Sequence, residues 1–262
     1  MEKFEPINQM LNSQGEFFQQ LKSRIKSPYP LPDQKIVKGS TPVFSFGDFQ
    51  QAKIFTVGLN PSKWEFLNNK EELFSEREQK LWSYPTLCAK DYHELTDEQI
   101  LSVYRGCCDY FDNFPNNWFD KFSPILESIN CSFKQRTAAH IDLVQWATND
   151  KWGKLDRADR KKLLDDGESF LKYQLSVSNV EILLLNGKSV IEAFAARFNI
   201  KYKYHWIEGI GGNSARIVSG HYGEKIKVIG WSTNLQSSFG VSDAHIDDIA
   251  SIVKNLVKEP FV

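Results

Sequence analysis

Residues 54–62 read Ile54-Phe55-Thr56-Val57-Gly58-Leu59-Asn60-Pro61-Ser62. An apolar run rich in β-branched residues stops at Gly58, and Asn60 and Pro61 follow at once. This is the pattern of a buried strand ending in a rigid turn. In an open α/β sheet, ligands sit at the carboxyl ends of the strands. The pattern therefore places Asn60 where a polar side chain meets a ligand, with Pro61 limiting the turn through its fixed φ. The plainer alternative is a turn in which Asn and Pro merely end a strand.

Outward from this stretch, further strands alternate with helices. Ala138–Trp146 reads as a second strand, and Val180–Leu185, apolar but for Glu181, as a central one covered on both faces. Asn186-Gly187-Lys188 turns into a helix over 189–198. Strands are expected at 202–207, 215–219 and 225–230, with a hairpin at Ile210-Gly211-Gly212-Asn213. The loop Trp231–Ser242 leads into a helix from Asp243 to Lys258. Upstream, 6–26 has the helical period, and prolines stiffen the link that follows. A short strand is expected at Pro42–Phe46, and helices over 96–111, 116–129 and 159–175. The alternation implies an α/β fold with a mostly parallel sheet. Residues 63–95 form a long polar insertion with scattered aromatics, the pattern of a functional loop.

Composition narrows the class. The chain has 262 residues with 41% apolar, enough for a sizeable core. Its net charge is −1, so any nucleic-acid contact must be a local basic patch. Candidates are Lys151, Lys154, Arg157 and Arg160 after the second strand, and Lys201, Lys203, Arg216, Lys225 and Lys227 near the last ones. Cys88, Cys107, Cys108 and Cys131 lack metal-ligand spacing and read as reduced, mostly buried thiols. No metal or other cofactor is expected. The N-terminus has no apolar signal region, and no run approaches the ~20 apolar residues of a membrane span. A cytoplasmic monomer with no membrane association is expected.

Gly58-Leu59-Asn60-Pro61-Ser62 resembles the first active-site motif of the uracil-DNA glycosylase superfamily, nearest the mismatch-specific and single-strand-selective branches. The order of later elements extends the resemblance over residues 40–257. It implies a three-layer sandwich, a central mostly parallel sheet flanked by helices, over residues 36–262, preceded by an N-terminal helical extension over 1–35. It implies DNA as partner and hydrolysis of the N-glycosidic bond of a flipped-out pyrimidine. Asn60 then orients the attacking water, because an amide is too weak a base to deprotonate it. Gly58, Leu59, Pro61 and Ser62 shape the pocket. Trp64, Phe66 or Tyr84 stacks on the base.

Two departures from the family pattern are informative. Asp142 stands where the family reads the base with an Asn. An ionised carboxylate only accepts hydrogen bonds, so it favours the 4-amino group of a cytosine derivative over O4 of uracil. The alternative is that Asp142 pairs with His140 or Arg136. In the last loop, aligning Leu235 with the family's DNA-penetrating wedge puts Trp231 where a His stabilises the leaving base. Ser232, Thr233, Asn234 or backbone amides would then replace that His, with Gln236 also facing DNA. Lys188, at a helix start, is a candidate phosphate contact, and His221 a candidate DNA contact. Defence enzymes acting on modified phage DNA fit this set. Competing classes are an ordinary uracil-repair enzyme, a catalytically idle DNA-binding module of the same fold, and a small-molecule hydrolase. The last is disfavoured by the lack of a Gly-x-Ser-x-Gly elbow or a phosphate-binding loop.

Overall fold

The run that opens at Ile54 forms β1 (Ile54–Gly58), inside a six-stranded sheet. A computed structural model describes residues 15–114, 117–207, 215–237 and 241–260. The other elements, in chain order, are α1 (Glu16–Ile25), α2 (Asp97–Cys108), α3 (Tyr110–Asn113), α4 (Asn117–Asp120), α5 (Ser123–Ser128), β2 (Ala138–Asp142), α6 (Arg157–Val177), β3 (Ile182–Asn186), α7 (Lys188–Phe198), β4 (Lys203–Ile207), β5 (Ala215–Tyr222), β6 (Ile226–Trp231) and α8 (Asp243–Lys258). The sheet order is β2-β1-β3-β6-β5-β4. The pairs β2–β1, β1–β3 and β3–β6 are parallel, and β6–β5 and β5–β4 are antiparallel. This is an α/β fold with a mostly parallel sheet flanked by helices.

Every residue of β1, β2, β3 and β6 is buried. That is why these segments read as nearly unbroken apolar runs: both sheet faces are covered. On one face Ile191 of α7 packs so closely that a Cβ at Gly230 would stand 2.9 Å from its Cγ1. On the other, the Phe122 ring beside α5 lies 5.9 Å from that of His140 and 6.5 Å from that of Trp231.

Chain contacts define two compact units. One comprises residues up to Phe44, Asn60–Cys107 and Val144–Phe170; the other comprises Ser45–Leu59, Cys108–Leu143 and the chain from Leu171. The sheet lies wholly in the second. In the first, Leu31, Ile36, Val144, Trp146, Leu155 and Leu163 form a core. Buried Arg24 of α1 pairs with Asp166 at 2.6 Å, and Asp166 also accepts from Trp146 Nε1 at 3.0 Å. These bonds tie α1 into that unit.

Other boundaries differ for identifiable reasons. β2 stops at Asp142; Leu143–Ala147 are buried but irregular, and burial alone made them look like strand. The strand expected at 42–46 is reduced to a Val43 N–H bond to Gln145 O and a single antiparallel bridge from Phe46 to His140. The helix expected over 116–129 is two, with Pro124, which has no N–H to donate, in the first turn of α5. The 210–213 hairpin and the start of the 6–26 helix lie outside the described residues. Among the described residues, no helix is long and apolar enough to cross a membrane.

Candidate functional site

The chain leaves β1 toward β2 on one side, and leaves β3 toward β4–β6 on the other. The sheet's topological switch point is therefore between β1 and β3, where open α/β folds bind ligands outside the strands' carboxyl ends. Four residues terminate the parallel strands there: Asp142, Gly58, Asn186 and Trp231. Gly58 registers with Asp142, and Asn186 with Trp231.

Side chains alternate faces along a strand, so His140 and Asp142 project on one side, over Thr56 and Gly58. His140 is buried, with Nδ1 2.8 Å from Thr56 Oγ1 and Nε2 3.5 Å from Asp142 Oδ1. Of the two alternatives for Asp142, His140 is thus its neighbour. Arg136 instead pairs with Asp109 at 2.8 Å and with Asp112. Gly58 is required by space: a Cβ there would stand 2.3 Å from Asp142 Oδ1 and 2.9 Å from His140 Nε2. Gly58→Ala is expected to displace both side chains and to destabilise the fold by about 1–3 kcal/mol, the usual cost of overpacking. Chemical denaturation checks this; unchanged stability would mean the pair moves aside freely.

Asn186 organises the last loop, and the sequence reading passed over it. Its Oδ1 accepts from Trp231 Nε1 at 2.9 Å and Leu235 N at 3.2 Å. Its Nδ2 donates to Asn234 Oδ1 at 3.3 Å and Gln236 Oε1 at 2.6 Å. The bond to Leu235 N draws that residue inward, and Leu235 is only 1% exposed. This corrects the expectation of an exposed wedge. Trp231 is also fully buried, so it presents no surface to a base. Ser232 Oγ accepts from Arg216 N, and Thr233 Oγ1 lies 3.0 Å from His245 Nε2. Asn234 remains exposed. Gln236 Nε2 bonds Trp118 O at 3.2 Å. The Trp118 ring is 44% exposed and meets His140 edge-on at 5.7 Å. It is an aromatic surface beside the Asp142–His140 pair that the sequence reading assigned only to a helix start.

In the first unit, Asn60 Nδ2 donates to Pro61 O and to Thr148 Oγ1, both at 3.0 Å. The partners dictate the orientation. A carbonyl only accepts, and the Thr148 hydroxyl gives its own proton to Asp150 O at 2.7 Å. Both amide hydrogens of Asn60 must therefore point inward. Its Oδ1, which carries no hydrogen bond among the described residues, is left as an acceptor on a half-exposed side chain. Nothing local in the sequence singles out Thr148.

The remaining candidates separate by burial. Phe66 and Tyr84 are core residues, with Tyr84 OH bonded to Ile25 O, so neither offers a face to a base. Trp64 is 42% exposed, with Lys63 Nζ 4.7 Å from its ring centroid. Ser62 caps the short turn that follows by accepting from Trp64 N. Leu59 is half-buried and Pro61 buried. Lys151, Lys154 and Arg157 are exposed, whereas Arg160 bonds Leu155 O. The Lys188 N–H is taken by Ser232 O, and its exposed ammonium lies 3.8 Å from Glu192. His221 pairs in register with Lys227 at the amino end of β6, away from the switch point. Lys227 is no surface contact: it is buried, and its ammonium donates to the carbonyls of Leu256, Val257 and Glu259 at the end of α8. Of the four thiols, only Cys107 is buried and Cys88 is exposed. Among the described residues, no cluster of three His, Cys, Asp or Glu is arranged to hold a metal ion. No protein-family model matches the chain, and no curated protein matches it.

Proposed function

We propose that the chain is a DNA glycosylase of the uracil-DNA glycosylase type, a three-layer α/β enzyme that hydrolyses the N-glycosidic bond of an unstacked pyrimidine. The observation that carries the reading is the Asn60 carboxamide. Its NH₂ is anchored on Thr148 and Pro61, and its oxygen is left to accept a hydrogen bond. That is what aiming a water at a sugar carbon requires: a fixed acceptor that orients the nucleophile without needing to deprotonate it. The oxocarbenium-like transition state lowers the demand for a strong base.

In this reading base recognition falls to Asp142, which is itself buried beside His140, so the base must reach it at the carboxyl end of β2. Gly58 leaves room for its carboxylate, and His140 Nε2 stands beside one oxygen. A carboxylate accepts from a 4-amino group and repels O4, which favours a modified cytosine over uracil. Trp118 is the stacking surface nearest this pair. Because Leu235 is buried, the reading includes no wedge, and the substrate is a single strand or an already unpaired base. Burial of Trp231 and Leu235 equally favours one rival, an idle module of the same fold that binds DNA without cutting it.

Release of free base from oligonucleotides carrying uracil, cytosine or C5-modified cytosines decides between them, with alkaline strand scission as readout. The wild type is expected to release a modified cytosine, and Asp142→Asn to release it at least about tenfold more slowly while gaining activity on uracil, on the scale of one mismatched edge contact. No release from any substrate would support the idle module. Efficient uracil release by the wild type alone would remove Asp142 as the reader.

A further inference from the structure

We propose that the outer edge of the sheet, β4 with β5, is a stacking platform for single-stranded nucleic acid. Trp206 is 69% exposed and Tyr204 56%, the two most exposed large hydrophobic side chains among the described residues. They are two apart on β4, so they share a face, with their rings about 7 Å apart along the strand. Each ring can then take its own base.

The register places Arg216 opposite Trp206 and buried Val218 opposite Tyr204. The Arg216 guanidinium lies 5.3 Å from the Tyr204 ring centroid. This is the face on which α7 packs against β3 and β6; at β4 the sheet's aromatic side chains are bare. An exposed edge strand with large apolar side chains invites pairing and aggregation unless it serves a partner.

Charge identifies the partner. Arg216, opposite Trp206, shares the ring face, whereas Lys203 projects from the other; β4 and the described β5 contain no carboxylate, and in sequence Lys201 and Lys225 flank them against Glu208 and Glu224. The chain as a whole carries −1, so this basic character is local. Two exposed rings beside a guanidinium suit bases and phosphate together: every base has a π-face, and Arg216 can meet the backbone. An aliphatic protein surface would leave this cation unanswered. The platform is separate from Asn60 and Asp142 in sequence and role, and it does not depend on excision chemistry.

The test is fluorescence anisotropy of a labelled oligothymidylate titrated with the full chain. Trp206→Ala is expected to weaken binding about tenfold or more, the effect of losing one stacked base, and Trp206→Phe to restore most of it. Both side chains are exposed, so unchanged thermal unfolding should accompany the loss. Oligothymidylate binding is read with no base release, so failure of the excision reading leaves the platform standing, and the reverse. Wild-type affinity in Trp206→Ala, or no binding by the wild type, overturns the proposal. So does a dimer that Trp206→Ala dissociates without changing oligonucleotide affinity, which would make a second copy the occupant.

Discussion

Asn60→Ala is expected to lower the rate of base release by about 10²–10³ while leaving the fold and oligonucleotide affinity unchanged. The magnitude is that of removing one preorganised polar contact to a reacting group. The selectivity follows from the geometry. Asn60 is half-exposed, so truncation opens no core cavity, and its Nδ2 bonds are to Pro61 O and the Thr148 hydroxyl. Thr148 keeps its own bond to Asp150 O in the mutant. Only the Oδ1 acceptor is lost in functional terms, and it serves a water in this mechanism. Single-turnover kinetics separate the chemical step from binding: the defect must appear in the rate and not in the half-saturating concentration. Wild-type turnover would remove Asn60 from the mechanism, and with it the principal support for the glycosylase reading.

The turn that carries Asn60 was legible because a polar residue and a proline interrupt an apolar run, a local signal with a local cause. The same rule applied to Leu183-Leu184-Leu185-Asn186-Gly187 points at Asn186, but Asn-Gly also reads as ordinary turn chemistry, and nothing nearby tells the two apart. Helices α7 and α8 were visible in their periodicity, and the parallel core in its unbroken burial. What failed was information held at long range. Leu235 sits among polar residues and looks exposed, yet its N–H is claimed by a side chain 49 positions earlier in the chain. Thr148 is 88 residues from the amide it orients. Leu143–Ala147 are as apolar as a strand because they are buried, and periodicity over five residues does not separate the two. Each unit is assembled from three separate chain segments, so no single linear boundary divides them.

Asn186→Leu is expected to destabilise the protein by about 2–6 kcal/mol, because two hydrogen-bond donors lose their acceptor. Leucine keeps asparagine's branching and heavy-atom count, but its methyl groups are bulkier, so overpacking adds to the loss of the polar contacts. Trp231 Nε1 is fully buried, and the backbone N–H of Leu235 belongs to a residue equally shut off from water. Each would be left without the partner it has now, at a desolvation cost of about 1–3 kcal/mol. The Nδ2 bonds matter less to stability, since Asn234 is exposed and Gln236 half-buried, and water replaces the lost donor. Asn186→Asp separates the two halves of the network. It keeps an acceptor for Trp231 and Leu235 but cannot donate to Asn234 and Gln236, so it should be less destabilising than leucine while loosening the loop and its bond to Trp118 O. Urea denaturation with an unchanged slope is the measurement, since a shift of midpoint alone reports stability. A leucine variant as stable as the wild type would mean that the loop relaxes to water when Asn186 is removed, and that Leu235 is held inward by packing and not by the carboxamide at the end of β3.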